Sequence, residues 1–434
     1  MNKRAGGNPS IGYDESWYYA TARGLKHHEK LREKITVDVC VIGAGYTGLS
    51  AAIHLAQRGY SVVVLEAHRI GSGASGRNGG VLGMGQRKDQ EELEAWLGID
   101  DAKRMWQIAY DANQLVRDLV NKYDIQCDLT DGHMAVAHKK SHVKPMWDHC
   151  EHLARFYNCE AYRPVTAEEV HDMMGVDTYH GGYVDYLAGH IHPLNLALGL
   201  GKASEELGVK IFENSRALSY NPVRDKVLIK TSAGQVESDF LLIGCNGYLG
   251  RLDREAERYQ MPINNFILAT EPLGETRARN INRDNLAIVD TRFVVNYWHN
   301  SPDHRLIFGG GENYSTKFPQ DIKKFVRRYM LEVYPNLSDI GIEFGWGGTL
   351  AITMRRMPHF GRKAHNVYWA QGYSGHGIHM ATMGGKMAAD AIMGHAEKFD
   401  LFASLNHHPF PGGRWLRWPG LVAGMLYYSI LDRI

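Results

Sequence analysis

Residues 36–66 read TVDVCVIGAGYTGLSAAIHLAQRGYSVVVLE, and this stretch decides the fold. An apolar, β-branched run ends at Ile42 and meets the glycine-rich turn GAGYTG (43–48). A helical pattern follows the turn, Gly59 ends it, and a second apolar run (62–65) leads into Glu66. A strand, a glycine turn, a helix, a strand and an acid in this order predict a βαβ unit that binds a dinucleotide.

Each glycine of the turn is needed for a physical reason. Gly43 permits the tight turn, Gly45 lets the backbone approach a pyrophosphate, and Gly48 lets the helix pack closely on the strand. The helix N-terminus then offers free N–H groups and about half a positive charge to phosphate. Glu66 is expected to accept hydrogen bonds from ribose hydroxyls. The predicted cofactor contacts in this unit are Gly43, Gly45, Tyr46, Thr47, Gly48, Glu66 and Ala67.

A second glycine-rich segment, GSGASGRNGG (71–80), closely follows the ribose acid. Glycine this dense lets backbone lie against a ligand, and Arg77 brings a fixed positive charge suited to phosphate. The predicted cofactor contacts here are Ser75, Arg77, Asn78, Gly79 and Gly80.

A third glycine cluster, GYSGHG (372–377), lies between a predicted strand at 366–370 and a predicted helix at 379–393. Such a helix N-terminus would stabilise the negative charge that a flavin gains on reduction. The predicted cofactor contacts are Gly375, His376, Gly377 and His379. The two histidines are also the candidates for a catalytic role, although the flavin itself carries the central step.

These motifs make the chain similar to the FAD-dependent D-amino-acid-oxidase-type superfamily, which includes monomeric sarcosine oxidase and glycine oxidase. The marks are VIGAGYTGLSAA (41–52), Glu66, GASGRNGG (73–80) and GYSGHG (372–377). Further segments resemble bacterial γ-glutamylputrescine oxidoreductases. They are SWYYATA (16–22), EAHRIGSGASGRNGG (66–80), ATEPLG (269–274), RLIFGGG (305–311) and HHPFPGGRWLR (407–417).

The resemblance implies an α/β fold in which a Rossmann-type FAD-binding domain is interleaved with a β-rich (α+β) substrate domain. The expected divisions are an N-terminal arm (1–30), FAD-binding segments (31–90, 190–255 and 350–400), substrate-domain segments (91–189 and 256–349) and an apolar C-terminal tail (401–434).

The resemblance also implies oxidation of a C–N bond by hydride transfer to flavin N5, followed by hydrolysis of the imine. The leading expectation is an oxidase of γ-glutamylputrescine or a related polyamine derivative that produces H2O2. The alternative is a membrane-associated FAD enzyme for a cyclic or N-methyl amino acid such as L-pipecolate, with a quinone as acceptor. A flavoprotein kept for binding, without turnover, is a third and weaker interpretation.

Aromatic and cationic side chains of the second β-rich block are candidates for substrate contact. An aromatic wall for an aliphatic amine is predicted from Tyr297, Trp298 and Trp346. Cations that could pair with a substrate carboxylate are Arg87, Arg292, Arg355 and Arg356.

Two departures from the superfamily pattern matter. Sarcosine-oxidase-like relatives hold flavin through a cysteine before SGHG, whereas residues 345–377 contain none, so non-covalent FAD is predicted. Ile307 and His379 stand where relatives carry lysines, one of which promotes oxygen reduction. The electron acceptor, O2 or a quinone, therefore stays open.

Composition excludes other classes of function. A net charge of +1 with 22% charged residues gives no indication of a nucleic-acid partner. The odd number of cysteines, 5, without metal-ligand spacing, argues against disulfides and against a metal site. No secretory signal or membrane span is seen, so a cytoplasmic location is expected, with the apolar segment 414–431 as a candidate for peripheral contact at the inner face of a membrane. The oligomeric state is not predicted.

Overall fold

The computed structural model describes residues 16–312 and 317–412, so the apolar segment 414–431 lies outside the described residues. The helices are α1 (Trp17–Ala20), α2 (Tyr46–Ala56), α3 (Gln90–Leu97), α4 (Ile99–Lys122), α5 (Lys140–Tyr157), α6 (Ala167–Met174), α7 (Pro193–Glu206), α8 (Arg254–Glu257), α9 (Glu275–Ile281), α10 (Ile322–Val333), α11 (Gly377–Ile392) and α12 (Glu397–Ala403).

The strands form two sheets. They are β1 (Lys34–Ile42), β2 (Val62–Leu65), β3 (Val81–Leu82), β4 (Thr130–Val136), β5 (Tyr162–Thr166), β6 (Gly181–His190), β7 (Lys210–Phe212), β8 (Ser219–Val223), β9 (Lys226–Lys230), β10 (Gln235–Ile243), β11 (Met261–Thr270), β12 (Ala287–Asp290), β13 (Tyr297–Asn300), β14 (Leu306–Glu312), β15 (Ile342–Ile352), β16 (His359–Lys363) and β17 (Val367–Gln371).

The first sheet has the order β16-β17-β10-β1-β2-β7, with the hairpin β8-β9 attached to β10. Its centre, from β17 to β7, is parallel. Parallel strands covered on both faces read as continuous apolar runs, which explains why 39–42 and 62–65 are almost wholly buried. Helix α2 begins at Tyr46, directly after the glycine turn, and the predicted α/β fold is confirmed.

The second sheet has the order β15-β11-β14-β13-β12-β4-β6-β3, with β5 paired to β6. It is antiparallel except where β4 pairs with β12. One face packs on α10, whose Val326, Met330 and Val333 share a core with Phe266 and Phe308. Part of the opposite face is the floor of the cleft described below.

Two apolar runs of the sequence, 210–220 and 293–298, are strands over only part of their length. The run 210–220 is broken between β7 and β8, because Glu213 turns inward to accept the N–H of Ile70 and Asn214 adopts φ 51°. The run 293–298 becomes β13, which starts only at Tyr297, because Asp290 Oδ1 accepts the N–H groups of both Arg292 and Asn296 and holds that loop.

Helix α4 lies in the range predicted for the substrate domain, yet its apolar face shares a core with the helices of the first sheet. Met105, Ala109 and Val116 belong to the same buried cluster as Leu49 of α2 and Met380 of α11. Ile267 and Ala269 of β11 belong to this cluster too, so one continuous core joins the two sheets here.

Candidate functional site

A cleft of about 1420 Å³ runs between the two sheets and contains residues from all three glycine motifs. Its walls include the carboxyl ends of β1 and β2, which is where ligands bind in open parallel sheets. Its floor includes His133, Ala135, Val289 and Tyr297 of the second sheet.

The three glycines of the turn GAGYTG are too closely packed to carry side chains. Gly43 has φ 105°, and a Cβ there would lie 2.9 Å from Gly244 O. A Cβ on Gly45 would lie 2.7 Å from Ser75 Oγ, and a Cβ on Gly48 would lie 1.9 Å from Gly43 O. Gly48 does not line the cleft and acts through this helix–strand packing, whereas Gly43, Gly45, Tyr46 and Thr47 do line it.

Glu66 is held at the end of β2 by backbone donors. Its Oε2 accepts the N–H of Ala44 at 2.9 Å, and its Oε1 accepts the N–H of His68 at 2.8 Å. Each oxygen keeps a second lone pair for a ligand hydroxyl. Burial raises the pKa of Glu66. The carboxylate and the adjacent Ala67 both line the cleft, as a ribose site requires.

The second motif is fixed by its own side chains. Arg77 donates from Nε to Ser72 O at 2.9 Å and from Nη1 to Gly347 O at 3.1 Å, so it ties this loop to β15. Asn78 donates to Ala74 O at 3.0 Å and accepts the N–H of Gly80 at 2.8 Å. Arg77 lines the cleft, but part of its donor capacity is used on backbone carbonyls rather than left for phosphate.

Gly80, predicted to contact the cofactor, does not line the cleft, whereas Ser75, Arg77, Asn78 and Gly79 do. Gly80 has φ 75°, and a Cβ there would lie 2.4 Å from Ile191 O. Close packing of the loop on Ile191, the residue that follows β6, therefore requires glycine at this position.

The third motif places a helix N-terminus at the cleft. Helix α11 begins at Gly377, with His376 as its N-cap, and Gly375 has φ 101°. A Cβ on Gly375 or Gly377 would meet nothing within 4 Å, so the backbone here is open to a ligand. The first-turn N–H groups can therefore stabilise developing negative charge on a flavin.

The two candidate histidines lie together and are neutral. Their ring centroids are 6.0 Å apart. Burial lowers the pKa of His379 to about 4, and burial with the neighbouring His379 and Arg87 holds the pKa of His376 well below its usual range. His379 Nε2 lies 2.8 Å from Gly85 O, so in the neutral ring Nε2 carries the proton and Nδ1 is an acceptor.

The predicted aromatic wall is corrected at two of its three positions. Trp298 is fully buried on the other face of the sheet, where its ring stacks on Phe308 and Nε1 donates to Tyr334. Trp346 is 2% exposed and donates to Arg77 O at 3.2 Å. Neither lines the cleft. Neighbouring residues on a strand face opposite sides, so Tyr297 and Trp298 could not both face a substrate.

Tyr297 does line the cleft, where it braces the second glycine motif. A Cβ on Gly79 would lie 2.2 Å from its ring, and one on Gly309 would lie 2.0 Å from it. Its hydroxyl donates to Asn265 Oδ1. The ring therefore needs glycine on both neighbouring segments.

The four candidate arginines separate into two pairs. Arg87 and Arg356 line the cleft. Arg292 forms an ion pair with buried Asp290, and Arg355 lies over the ring of Trp96 at 4.5 Å, so these two are corrected as carboxylate-binding candidates.

Sequence reasoning missed a group of cleft residues far from the glycine motifs. They are His133, His149, Trp106, Tyr162, Tyr183 and Asp185. The spacing of Tyr183 and Asp185 in the sequence could have indicated that both line the cleft, because residues two apart on a strand share a face.

Comparisons with known proteins agree with this cleft. The sequence model of the FAD dependent oxidoreductase family (DAO) matches residues 38–391. The γ-glutamylputrescine oxidoreductase of Escherichia coli (strain K12) is 37% identical over 423 residues, which is 97% of this chain and 99% of that protein. A probable oxidoreductase, OrdL, of Rhizobium meliloti (strain 1021) is 37% identical over 425 residues, 98% of each chain.

Among solved structures, glycine oxidase from Geobacillus kaustophilus superposes with a TM-score of 0.73 at 18% identity, covering 86% of this chain and 99% of that one. Fold and cleft together define an FAD-dependent oxidoreductase. The chain belongs to the DAO family of FAD-dependent oxidoreductases.

Among residues 16–312 and 317–412, no helix is long and apolar enough to cross a bilayer. Within the same ranges, no group of three histidine, cysteine or acidic residues is arranged to hold a metal ion.

Proposed function

We propose that the protein oxidises the primary amine of γ-glutamylputrescine or a related polyamine derivative, with O2 as acceptor and H2O2 as product. The observation that carries the proposal is the 37% identity to γ-glutamylputrescine oxidoreductase along almost the whole chain. When bound, FAD supplies the hydride acceptor for the carbon that bears the nitrogen, and the imine then hydrolyses to an aldehyde and ammonia.

The chain's own residues suit an amine that reacts in its neutral form. His376 and His379 are neutral, so no imidazolium repels the substrate nitrogen as it arrives. His379 lines the cleft, and its buried Nδ1 has no hydrogen-bond partner among the described residues.

A second candidate is an enzyme for a cyclic or N-methyl amino acid that passes electrons to a quinone. Ile307 favours keeping it, because this side chain is 1% exposed and apolar at the position that resembles an oxygen-activating lysine in relatives. Peripheral membrane contact by 414–431 belongs to this candidate.

The deciding experiment is an anaerobic absorbance titration of the holoenzyme with γ-glutamylputrescine, putrescine, sarcosine, L-pipecolate and L-proline. Fast bleaching of the flavin band by the glutamylated amine, followed by recovery with stoichiometric H2O2 in air, is expected. Bleaching only by L-pipecolate or L-proline, with recovery that requires a soluble quinone, would establish the second candidate instead.

A further inference from the structure

We infer that a side arm of the cleft, formed by Trp106, Tyr162, Tyr183 and Asp185, binds a second cationic nitrogen at the far end of an extended amine substrate. This inference rests on the proposed function and names the substrate class more closely. The four residues are called the aromatic arm below, and all of them line the cleft.

Strand register places the aromatic arm beside the candidate catalytic histidines. Asp185 on β6 pairs with His133 on β4 and with Tyr162 on β5, so the three share one face of the sheet. His133 in turn lies close enough to His376 to affect its pKa. With strands about 4.8 Å apart, the aromatic arm lies about 5–10 Å beyond His133.

The rings of the aromatic arm pack side by side and present an aromatic wall to the cleft. The centroids of Tyr162 and Tyr183 are 5.3 Å apart, and those of Trp106 and Tyr162 are 6.4 Å apart. His149 extends this wall, with its centroid 6.4 Å from that of Tyr183. An ammonium within about 6 Å of such ring faces is attracted by their quadrupoles.

Asp185 supplies the negative charge. It is 2% exposed, and its Oδ1 accepts the N–H groups of Leu187 at 2.9 Å and Ala188 at 3.4 Å. Burial raises its pKa to about 6, against the hydrogen bonds from Leu187, the Tyr162 hydroxyl and Ala188, so it is ionised at neutral pH. Arg117, which favours the ionised form, already pairs with Asp131 at 2.6 Å. A buried carboxylate of this kind gains from a substrate cation.

A second acceptor lies on the neighbouring wall. Gln86 is 4% exposed and lines the cleft, and its Nε2 donates to Met105 O at 2.9 Å, next to Trp106. Its buried Oε1 has no hydrogen-bond partner among the described residues. An ammonium group can satisfy such an amide oxygen.

The cleft is large enough to hold a cofactor and a substrate together. A volume of about 1420 Å³ exceeds the roughly 300–1,000 Å³ typical of a single small-molecule site. A cofactor together with a linear substrate uses such a space, whereas a compact ring amino acid leaves the aromatic arm empty. The substrate class is therefore an N-acylated or N-alkylated aliphatic diamine with a distal ammonium, and γ-glutamylputrescine has one on its glutamyl α-carbon.

The test compares two substrates that differ only at the distal nitrogen, on the holoenzyme. They are γ-glutamylputrescine and N-(4-aminobutyl)glutaramate, which lacks the α-ammonium. We expect the wild type to prefer γ-glutamylputrescine in kcat/KM at least about 10-fold, and Asp185→Asn to lower that kcat/KM at least about 10-fold while changing the analogue's less than about 3-fold. Asp131→Asn, which alters the exposed partner of Arg117, is the matched control and should leave the preference unchanged.

A binding measurement separates this inference from the proposed function. γ-Glutamyl-n-butylamide keeps the glutamyl α-ammonium but lacks the terminal amine that is oxidised in the proposed reaction, so anaerobic calorimetry with it measures binding without that turnover. Asp185→Asn should weaken its binding at least about 10-fold, and Tyr162→Phe, which keeps the ring, less. Equal losses for both substrates, no preference in the wild type, or unchanged calorimetric affinity in Asp185→Asn would overturn the inference. Failure of both amines to bleach the flavin while the butylamide binds through Asp185 would overturn the proposed function alone.

Discussion

Glu66→Gln is expected to weaken FAD binding without disrupting the fold. The carboxylate is buried and accepts two backbone N–H groups, from Ala44 and His68, while it lines the cleft. A hydrogen bond to a charged acceptor contributes about 1.5–3 kcal/mol, against about 0.5–1.5 kcal/mol for a neutral one. Loss of the charge from two ribose hydrogen bonds therefore costs about 2–3 kcal/mol, which corresponds to about 30- to 160-fold in Kd.

Glu213→Gln is the matched control for this experiment. Glu213 is also a buried carboxylate, 1% exposed, and it accepts backbone N–H groups from Ile70 and His28, but it does not line the cleft. The same substitution there should change thermal stability and leave FAD affinity within about 3-fold.

Fluorescence titration of the apoprotein with FAD measures both affinities. If Glu66→Gln binds FAD as tightly as the wild type, or if both variants lose affinity by the same factor, the assignment of Glu66 to the ribose is refuted. A melting curve of each apoprotein in the same buffer separates loss of affinity from loss of structure.

Four further predictions concern a glycine, an ion pair, a helix cap and the attachment of FAD. Gly48→Ala places a Cβ 1.9 Å from Gly43 O. The clash should lower the free energy of unfolding by more than about 3 kcal/mol and abolish FAD binding. A variant that retains FAD would contradict this packing. The Glu213 carboxylate, 3.6 Å from His28 Nδ1, raises the pKa of His28, and His28 lowers the pKa of Glu213 although burial opposes it. The His28–Glu213 pair therefore stabilises the fold most between about pH 4.5 and 6.5. His28→Ala should lower the midpoint of urea unfolding more at pH 6 than at pH 8.5. Equal decreases of the midpoint at the two pH values would contradict this. Thr166→Ala removes one half of a capping box and should cost about 1 kcal/mol in urea unfolding with no change in FAD affinity. Denaturation in acid should release all FAD from the protein, whereas flavin that stays with the polypeptide on a gel would show a covalent link.

Local sequence was sufficient for the cofactor half of the molecule. The turn, the helix start at Tyr46 and the acid at Glu66 are contiguous, and each is dictated by backbone geometry within a few residues. The capping box at Thr166 and Pro193 in the first turn of α7 were predictable for the same reason.

The substrate-binding half of the cleft could not be predicted from local sequence, because it depends on pairing between distant strands. Both faces of β13 meet packed material, so the pattern around Tyr297 and Trp298 does not say which ring faces the cleft. Gly80 shows the same difficulty, since its partner Ile191 is more than a hundred residues away along the chain.

Cofactor binding and substrate selection use different residues of the cleft. The glycine motifs present mainly backbone atoms to the cofactor, and a side chain added at most of these positions would clash. The residues of the aromatic arm instead project from strands β5 and β6 and from helix α4, where side chains can change without moving the backbone that holds the cofactor. A change at Asp185 or Tyr162 should therefore alter which amine is oxidised while FAD affinity stays constant, because no residue of the aromatic arm belongs to the glycine motifs.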